Sequence, residues 1–425
     1  MKHFQPVLAL LLILGLAAPM APRPALADGI YFDDSGAEFM RLGNGFYEIA
    51  FRKDNGGIAY ITDKVTGGQV SKGSLNGCLW VVVFDYNTSN EYIESCRYRP
   101  NSPFRFSYSW SAATRQQTMR YDPDPAATKS VAAVVTVTAS AGNWFDLHIS
   151  LENRWGYVPV HVKFPSDLVF TKGSVQEALL PYLPGVVLES SFLQLGKAAE
   201  AEYPGILADF VALKSVAGRF AMYSISPNNQ VVPVRLGFSG CEHTNTCVLL
   251  HNFASGVRHG ATWSSPTVRI RVAEDYPENI QAFRADNRLD EYPSVEGKLG
   301  ALAGQIVRLP VYKADLGDRR FADYAAYLSP IPYPGILHPV AYWPRGFDEN
   351  YPDFLPPNPA LGTAEEMAAM FRQVQSMGYL VMPYINPTWW DDESPTMQNL
   401  PPPLTARDIA VLNKEGEPFY EPYDI

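Results

Sequence analysis

Asp348, Asp353, Asp391, Asp392 and Glu393 lie close in the sequence to Trp343, Tyr384, Asn386, Trp389 and Trp390. Carboxyl groups in pairs are the machinery of glycoside hydrolysis. That reaction sets an acid and a base or nucleophile across one bond, about 5 to 10 Å apart. The two must sit on separate elements, in surroundings that drive their pKa values apart. Sugars present flat C–H faces that stack on aromatic rings, so Trp389-Trp390 is the sharpest local signal for a carbohydrate surface. Tyr384 and Asn386 could hydrogen-bond hydroxyls, and Trp343 offers a second ring. The plainer alternatives stay open: a solvated, helix-capping or calcium-holding acid for each carboxylate, and a core position for each Trp. No residue here is assigned as catalytic.

These residues need elements to position them. Ile336 to Trp343 is an apolar strand, followed by a long loop, Pro344 to Gly362. Thr363-Ala364-Glu365-Glu366 is a capping box that starts a helix. Met367, Met370, Phe371, Val374 and Met377 form its buried stripe, and Gly378 is placed to stop it. Tyr379 to Ile385 follows as a strand without strict alternation, the mark of burial on both faces in a parallel sheet. Strand, helix, strand with this spacing is a βαβ unit. Asp348 and Asp353 then follow the first strand, and Asp391, Asp392 and Glu393 follow the second. In a barrel, both loops open at the face where active sites form.

Upstream, from about Ile30 to Pro310, β-branched and aromatic runs alternate with Gly, Asn, Asp, Ser and Pro clusters. Phe46 to Arg52, Val131 to Ala139, Phe145 to Glu152, Val158 to Phe164, Phe220 to Ile225 and Thr267 to Val272 are among the strand candidates. Asp54-Asn55-Gly56-Gly57 is a tight-turn signal. Many strands with hardly a helix argue for a large β-sandwich. The segment 311–335 has a short helix over Asp318 to Leu328 and then Pro330, Pro332 and Pro334, so it is expected to be a helical, Pro-rich connector. From 336 to 425 there are 90 residues, whereas a complete (β/α)₈ barrel takes roughly 250. The expected fold is therefore mainly β with a βαβ appendage: a sandwich over 28–310, then the first strands of an incomplete barrel over 336–425.

The amino terminus has a polar, basic start, an apolar run from Val7 to Ala18, and Ala25-Leu26-Ala27. This is a signal-peptide pattern over residues 1–27, and it predicts a secreted or periplasmic protein that no longer meets the membrane once cleaved. The whole chain carries a net charge of −10. The leader holds Lys2, Arg23 and no acid, so the remaining 398 residues carry 32 − 44 = −12. Such a surface repels nucleic acid and suits a neutral partner such as an oligosaccharide or polysaccharide. Cys78, Cys96, Cys241 and Cys247 are an even set in an exported chain and favour disulfides, preferentially Cys78 with Cys96 and Cys241 with Cys247, out of three possible connectivities. No metal-ligand spacing, phosphate loop or serine elbow is present, so neither metal nor cofactor is expected. His148 and His161 lie on strands and fit structural roles.

Two stretches carry a resemblance. Asn44-Gly45-Phe46-Tyr47-Glu48-Ile49, with Gly56-Gly57-Ile58 and Thr62-Asp63-Lys64-Val65-Thr66-Gly67, resembles the opening hairpins of galactose-mutarotase-like supersandwich domains. Trp343 to Pro356, then the capped helix and Gly378 to Pro387, resembles the first βαβ of a glycosidase barrel. Together the chain is similar to an uncharacterised bacterial family of glycoside-hydrolase-like proteins, and more distantly to the endo-α-N-acetylgalactosaminidases. The resemblance implies carbohydrate hydrolysis, with the nucleophile and acid/base on later barrel strands that this sequence does not contain. Three functions compete: the amino-terminal part of a glycosidase, inactive alone; a noncatalytic carbohydrate-binding or scaffold protein; and a lyase or epimerase acting through the sandwich.

Overall fold

The computed structural model describes residues 29–421 apart from 85–91, 97–103, 128, 183–184, 192–198, 227–231, 240–244, 317–318 and 414. Residues 1–27, read above as a signal peptide, and Cys241 lie outside the described residues.

Strand patterning is strongest at Val131–Ala139, which alternates buried and half-buried at every position. A period of two puts one face inward and the other outward. It pairs antiparallel with Trp144–Asn153, from Val131↔Asn153 to Ala139↔Phe145. This ribbon sits within a ten-stranded antiparallel sheet. A seven-stranded antiparallel sheet is centred on Thr246–Ala254, which pairs with Val234–Ser239, His161–Lys163 and Leu168–Thr171. A five-stranded meander, from Tyr31–Asp33 to Gly68–Ser71, completes the set.

One core joins all three sheets, with Met40, Tyr47, Trp80, Phe84, Val135, Phe145, Phe164 and Phe253 among its buried members. Rings meet across sheet boundaries: Tyr47 and Phe145 at 5.1 Å, Trp80 and Tyr121 at 5.3 Å, Phe170 and Phe220 at 5.2 Å. The Asn55-Gly56-Gly57 turn forms as expected, and the reason for glycine is visible. Gly56 has φ +72°, and a Cβ on Gly57 would stand 1.8 Å from the Gly77 carbonyl oxygen. The architecture is a large β-sandwich.

The helix-poor region does contain an eleven-residue helix, Tyr276–Asp286, with Pro near its start. Its apolar residues are few. Tyr276 and Phe283 dock on Phe210 and Tyr223, on the side of the ten-stranded sheet away from the main core. A partner surface, rather than periodicity, makes this segment helical.

Cys78 and Cys96 form a disulfide across 18 residues. Cys247 is buried and also disulfide-bonded. With Glu94, Cys78 and Cys96 make a group of metal-ligand spacing, but the two sulfurs are bonded to each other and unavailable as thiolates. Closing a loop of this length stabilises by roughly 3 kcal/mol. We expect the double replacement Cys78→Ser, Cys96→Ser to lower the urea midpoint by that equivalent; an unchanged midpoint would show that the bridge adds nothing. No helix among the described residues is long and apolar enough to cross a membrane.

The segment expected to be a connector opens with a strand. Val311–Asp315 pairs in parallel with Ile336–Val340, and Ile336–Val340 pairs in parallel with Leu380–Val381. The connector expectation is thus corrected to a third parallel strand, making βαβαβ. The strand was hidden because Val311, Lys313 and Asp315 are exposed and the segment lacks an apolar run. The capping box forms as expected: Thr363 Oγ1 accepts from Glu366 N–H at 3.2 Å, and Thr363 N–H donates to Glu366 Oε2 at 2.7 Å. The helix it starts, Ala364–Ser376, buries Met367, Met370 and Val374, and Gly378 ends it with φ +94°. A second core gathers Tyr324, Leu328, Leu337, Trp343, Met367, Met370 and Val374. It shares no residue with the sandwich core.

Candidate functional site

In a parallel sheet all carboxyl-terminal strand ends lie at one edge. The loops after Ile336–Val340 and Leu380–Val381 meet there. Tyr342 Oη donates to the Tyr384 carbonyl at 3.0 Å, and Trp343 stacks on Tyr384 with ring centroids 5.7 Å apart. Asp391 N–H donates to the Tyr351 carbonyl at 2.9 Å.

The expected site residues divide by what surrounds them. Trp343 is fully buried. Tyr342, Tyr351, Phe354 and Tyr384 all lie within 6 Å of it, ring to ring. The expectation that its ring faces a ligand is corrected: the loop folds back over it and makes it the floor of the surface. Tyr384 is half-buried beside it. Asn386 Oδ1 accepts from Thr388 N–H, Thr388 Oγ1 and Trp389 N–H, all at 3.1 Å. That side chain therefore builds the turn that presents Trp389 and Trp390, which are 47% and 42% exposed.

The acids divide in the same way. Asp391 Oδ2 accepts from Asn350 N–H at 2.7 Å and from Arg345 at 3.1 Å, while its Oδ1 accepts from Glu393 N–H at 3.0 Å. Asp353 accepts from Thr396 N–H at 2.8 Å and Thr396 Oγ1 at 2.7 Å. Both carboxylates clamp one loop to the other. Asp348 Oδ1 accepts from Tyr351 Oη at 3.2 Å. Burial raises the Tyr351 phenol far above its ordinary value, helped by its hydrogen bond with Tyr384, which keeps it a donor. Asp392 is exposed.

Two contributors were not singled out from the sequence. Arg345 reaches Glu349 at 3.0 Å, Asp391 at 3.1 Å and Glu393 at 3.0 Å. Phe347 is 37% exposed, lies 5.6 Å from Tyr384 and has Lys313 Nζ 5.2 Å from its centroid. Both sit in the W-P-R-G-F-D run after Trp343. Ala341, Arg345, Asp348 and Asn350 all have φ between +56° and +70°. Left-handed backbone at non-glycine residues costs roughly 1–2 kcal/mol each and persists only where surroundings over-determine it.

The two faces of the sheet are covered unequally. Tyr312, Leu337 and Val381 point into the helix-lined core. By alternation, Lys313, His338 and Met382 lie on the other face. Lys313 and Met382 are exposed and His338 is half-buried, while Ile336 and Val340 on the same face are buried.

The loop clamp is testable. Hydrogen bonds to an ionised partner contribute about 1.5–3 kcal/mol. Asp353→Ala should therefore destabilise the parallel-sheet unit by about 2 kcal/mol and expose the 386–399 loop to protease. A proteolysis rate equal to that of the unaltered chain would refute the clamp.

A domain of unknown function, DUF6259, matches residues 336–425. No curated protein matches the chain significantly. Among solved structures, the chain is similar to ligand-free α-N-acetylgalactosaminidase NagBb from Bifidobacterium bifidum, with a TM-score of 0.60 and 12% identity over 88% of this chain. The GalNAc complex of that enzyme gives 0.57 and 12% over 89%. The chain shares its fold with this glycosidase. It spans 62% of the enzyme's length in both comparisons. At this identity the likeness is one of fold alone.

Proposed function

We propose that this is an exported glycoside-hydrolase-like protein that handles carbohydrate through the loops after its parallel strands. We also propose that this chain alone has no glycosidase turnover. The supporting observation is the parallel sheet with Trp389, Trp390 and Phe347 exposed at its carboxyl-terminal edge. Parallel sheets are ordinarily covered on both faces, so further βα units are the natural cover for Lys313, His338 and Met382. Hydrolysis needs two facing carboxyl groups with separate tasks. Here Asp391 and Asp353 are occupied as clamps. The same occupation favours a second reading, a noncatalytic carbohydrate-binding protein.

The test is to titrate the chain with an oligosaccharide panel by calorimetry and to assay it against aryl glycosides. Replacing Trp389 and Trp390 with Ala should weaken binding by about 1 kcal/mol per stacked ring, on the scale of aromatic pairs. Turnover that disappears in Asp348→Asn, Asp391→Asn or Asp392→Asn would sink the inactivity claim. Binding indifferent to both Trp replacements would sink the loop surface.

A further inference from the structure

A separate cavity lies at the rim of the sandwich, far along the chain from the aromatic loops. Its volume is about 300 Å³, and Tyr203, Asp209, Ser224, Phe283, Asn287 and Tyr292 are among its lining residues. That is the lower end of small-molecule sites, room for one ring rather than a chain of them. Its walls are fixed. Asn287 Oδ1 accepts from Ser226 N–H at 3.1 Å, and Asn287 Nδ2 donates to the Ser224 carbonyl at 3.1 Å. This ties the end of the helix Tyr276–Asp286 to the sheet, so little ordering cost remains for a ligand.

The cavity holds a buried carboxylate of unusual support. Asp209 is 6% exposed. Its Oδ1 lies 2.9 Å from Nε2 of His251, which is itself 1% exposed, and His251 Nδ1 lies 2.8 Å from the Phe164 carbonyl oxygen. A carbonyl can only accept, so Nδ1 carries a proton. With Asp209 ionised, Nε2 carries one as well. The pair is then an imidazolium–carboxylate couple of zero net charge, held inside the sandwich. Asp209 Oδ2 has no partner among the described residues and remains an acceptor. Ser224 is 7% exposed, and its buried Oγ has no hydrogen-bond partner among the described residues. Leaving such a group unpaired costs free energy. Tyr203 and Tyr292 add hydroxyls, and Phe283 an apolar wall.

We propose that this cavity binds one small, neutral, polyhydroxylated ring, a monosaccharide in size and chemistry, with Asp209 accepting from a ligand hydroxyl. The zero net charge of the His251–Asp209 couple disfavours an ionic ligand of either sign. A metal ion is a poor fit, since Asp209 is the only carboxylate among the lining residues. The site does not depend on the loop surface proposed above.

The test is calorimetric and ligand-observed NMR titration of the folded chain with D-galactose, D-glucose, N-acetyl-D-galactosamine and N-acetyl-D-glucosamine, beside D-glucuronate and D-glucosamine. We expect saturable binding of at least one neutral sugar, with a Kd of about 1 mM, and weaker binding of the charged pair. Asp209→Asn should weaken binding by about tenfold or more by removing an ionised acceptor. Because that change touches a buried pair, Tyr292→Ala serves as a second variant. Tyr292 is 46% exposed at the rim, so the fold should tolerate its loss, and binding should fall about fivefold. The same titrations are repeated in the Trp389→Ala, Trp390→Ala background, which removes the loop surface as a competing source of signal. The proposal is overturned if no neutral sugar saturates, if binding survives Tyr292→Ala and Asp209→Asn intact, or if the double Trp variant abolishes it.

Discussion

Trp343→Ala is expected to unfold the parallel-sheet unit and leave the sandwich standing. Trp343 is fully buried. It touches rings from Tyr342 just after its own strand, from the loop that follows, and from Tyr384 in the loop after the next strand. Truncating a buried Trp to Ala typically costs about 3–5 kcal/mol. A whole domain is stabilised by only about 5–15 kcal/mol, and this core is much the smaller of the two. Calorimetry should therefore show the transition of the parallel-sheet unit shifted sharply down or lost, with the sandwich transition in place. Trp343→Phe should be far milder. Its Nε1 is buried without a hydrogen-bond partner among the described residues, so the Phe ring removes an unsatisfied donor along with some contact area. Two transitions within about 1 kcal/mol of the original in Trp343→Ala would show that the ring is not what holds the loops together.

The second large effect is on acid stability. His161 is pushed down to about 4, first by burial and then by the charges of Lys163 and Arg235. It is therefore neutral in the fold and readily protonated in the unfolded chain, whose value is 6.5. Its contribution is complete above pH 6.5 and is lost as the pH falls to about 4, a change of about 3 kcal/mol. His251 acts in the opposite sense. Burial alone would depress it, but the charge and hydrogen bond of Asp209, with the Phe164 carbonyl, outweigh burial and raise it. Its contribution is present below pH 6.5 and is lost as the pH rises through its folded value. Urea unfolding between pH 4 and 6.5 should show stability falling with acid, and His161→Gln should flatten that slope. His251→Gln should leave the acid slope and remove a loss on the alkaline side. An acid slope unchanged in His161→Gln would assign it to other groups.

Much of this was legible in the sequence because it depends on neighbours a few residues apart. The alternation of Val131–Ala139 is a statement about one strand's two faces, and it survives folding unchanged. The Thr363–Glu366 box and Gly378 bound their helix by local hydrogen bonds and by backbone freedom. The Cys78–Cys96 bridge followed from proximity along the chain. The strands flanking Trp343 and Tyr384 declared themselves by their apolar runs.

What tertiary structure alone decided is which side each residue faces and what it meets. Trp343 and Trp389 are the same residue in similar loops, yet one is floor and the other surface, because the 344–362 loop folds over the first. Asp391 and Asp392 are adjacent, but only Asp391 reaches the Asn350 N–H and the Arg345 guanidinium, which lie more than 40 residues away. Val311–Asp315 became a strand because Ile336–Val340 offered it a ladder, not because of its own composition. His251 and Asp209 lie 42 residues apart, and no spacing rule links them. Their pairing exists because two sheets closed on one core, where a charge persists only beside its complement.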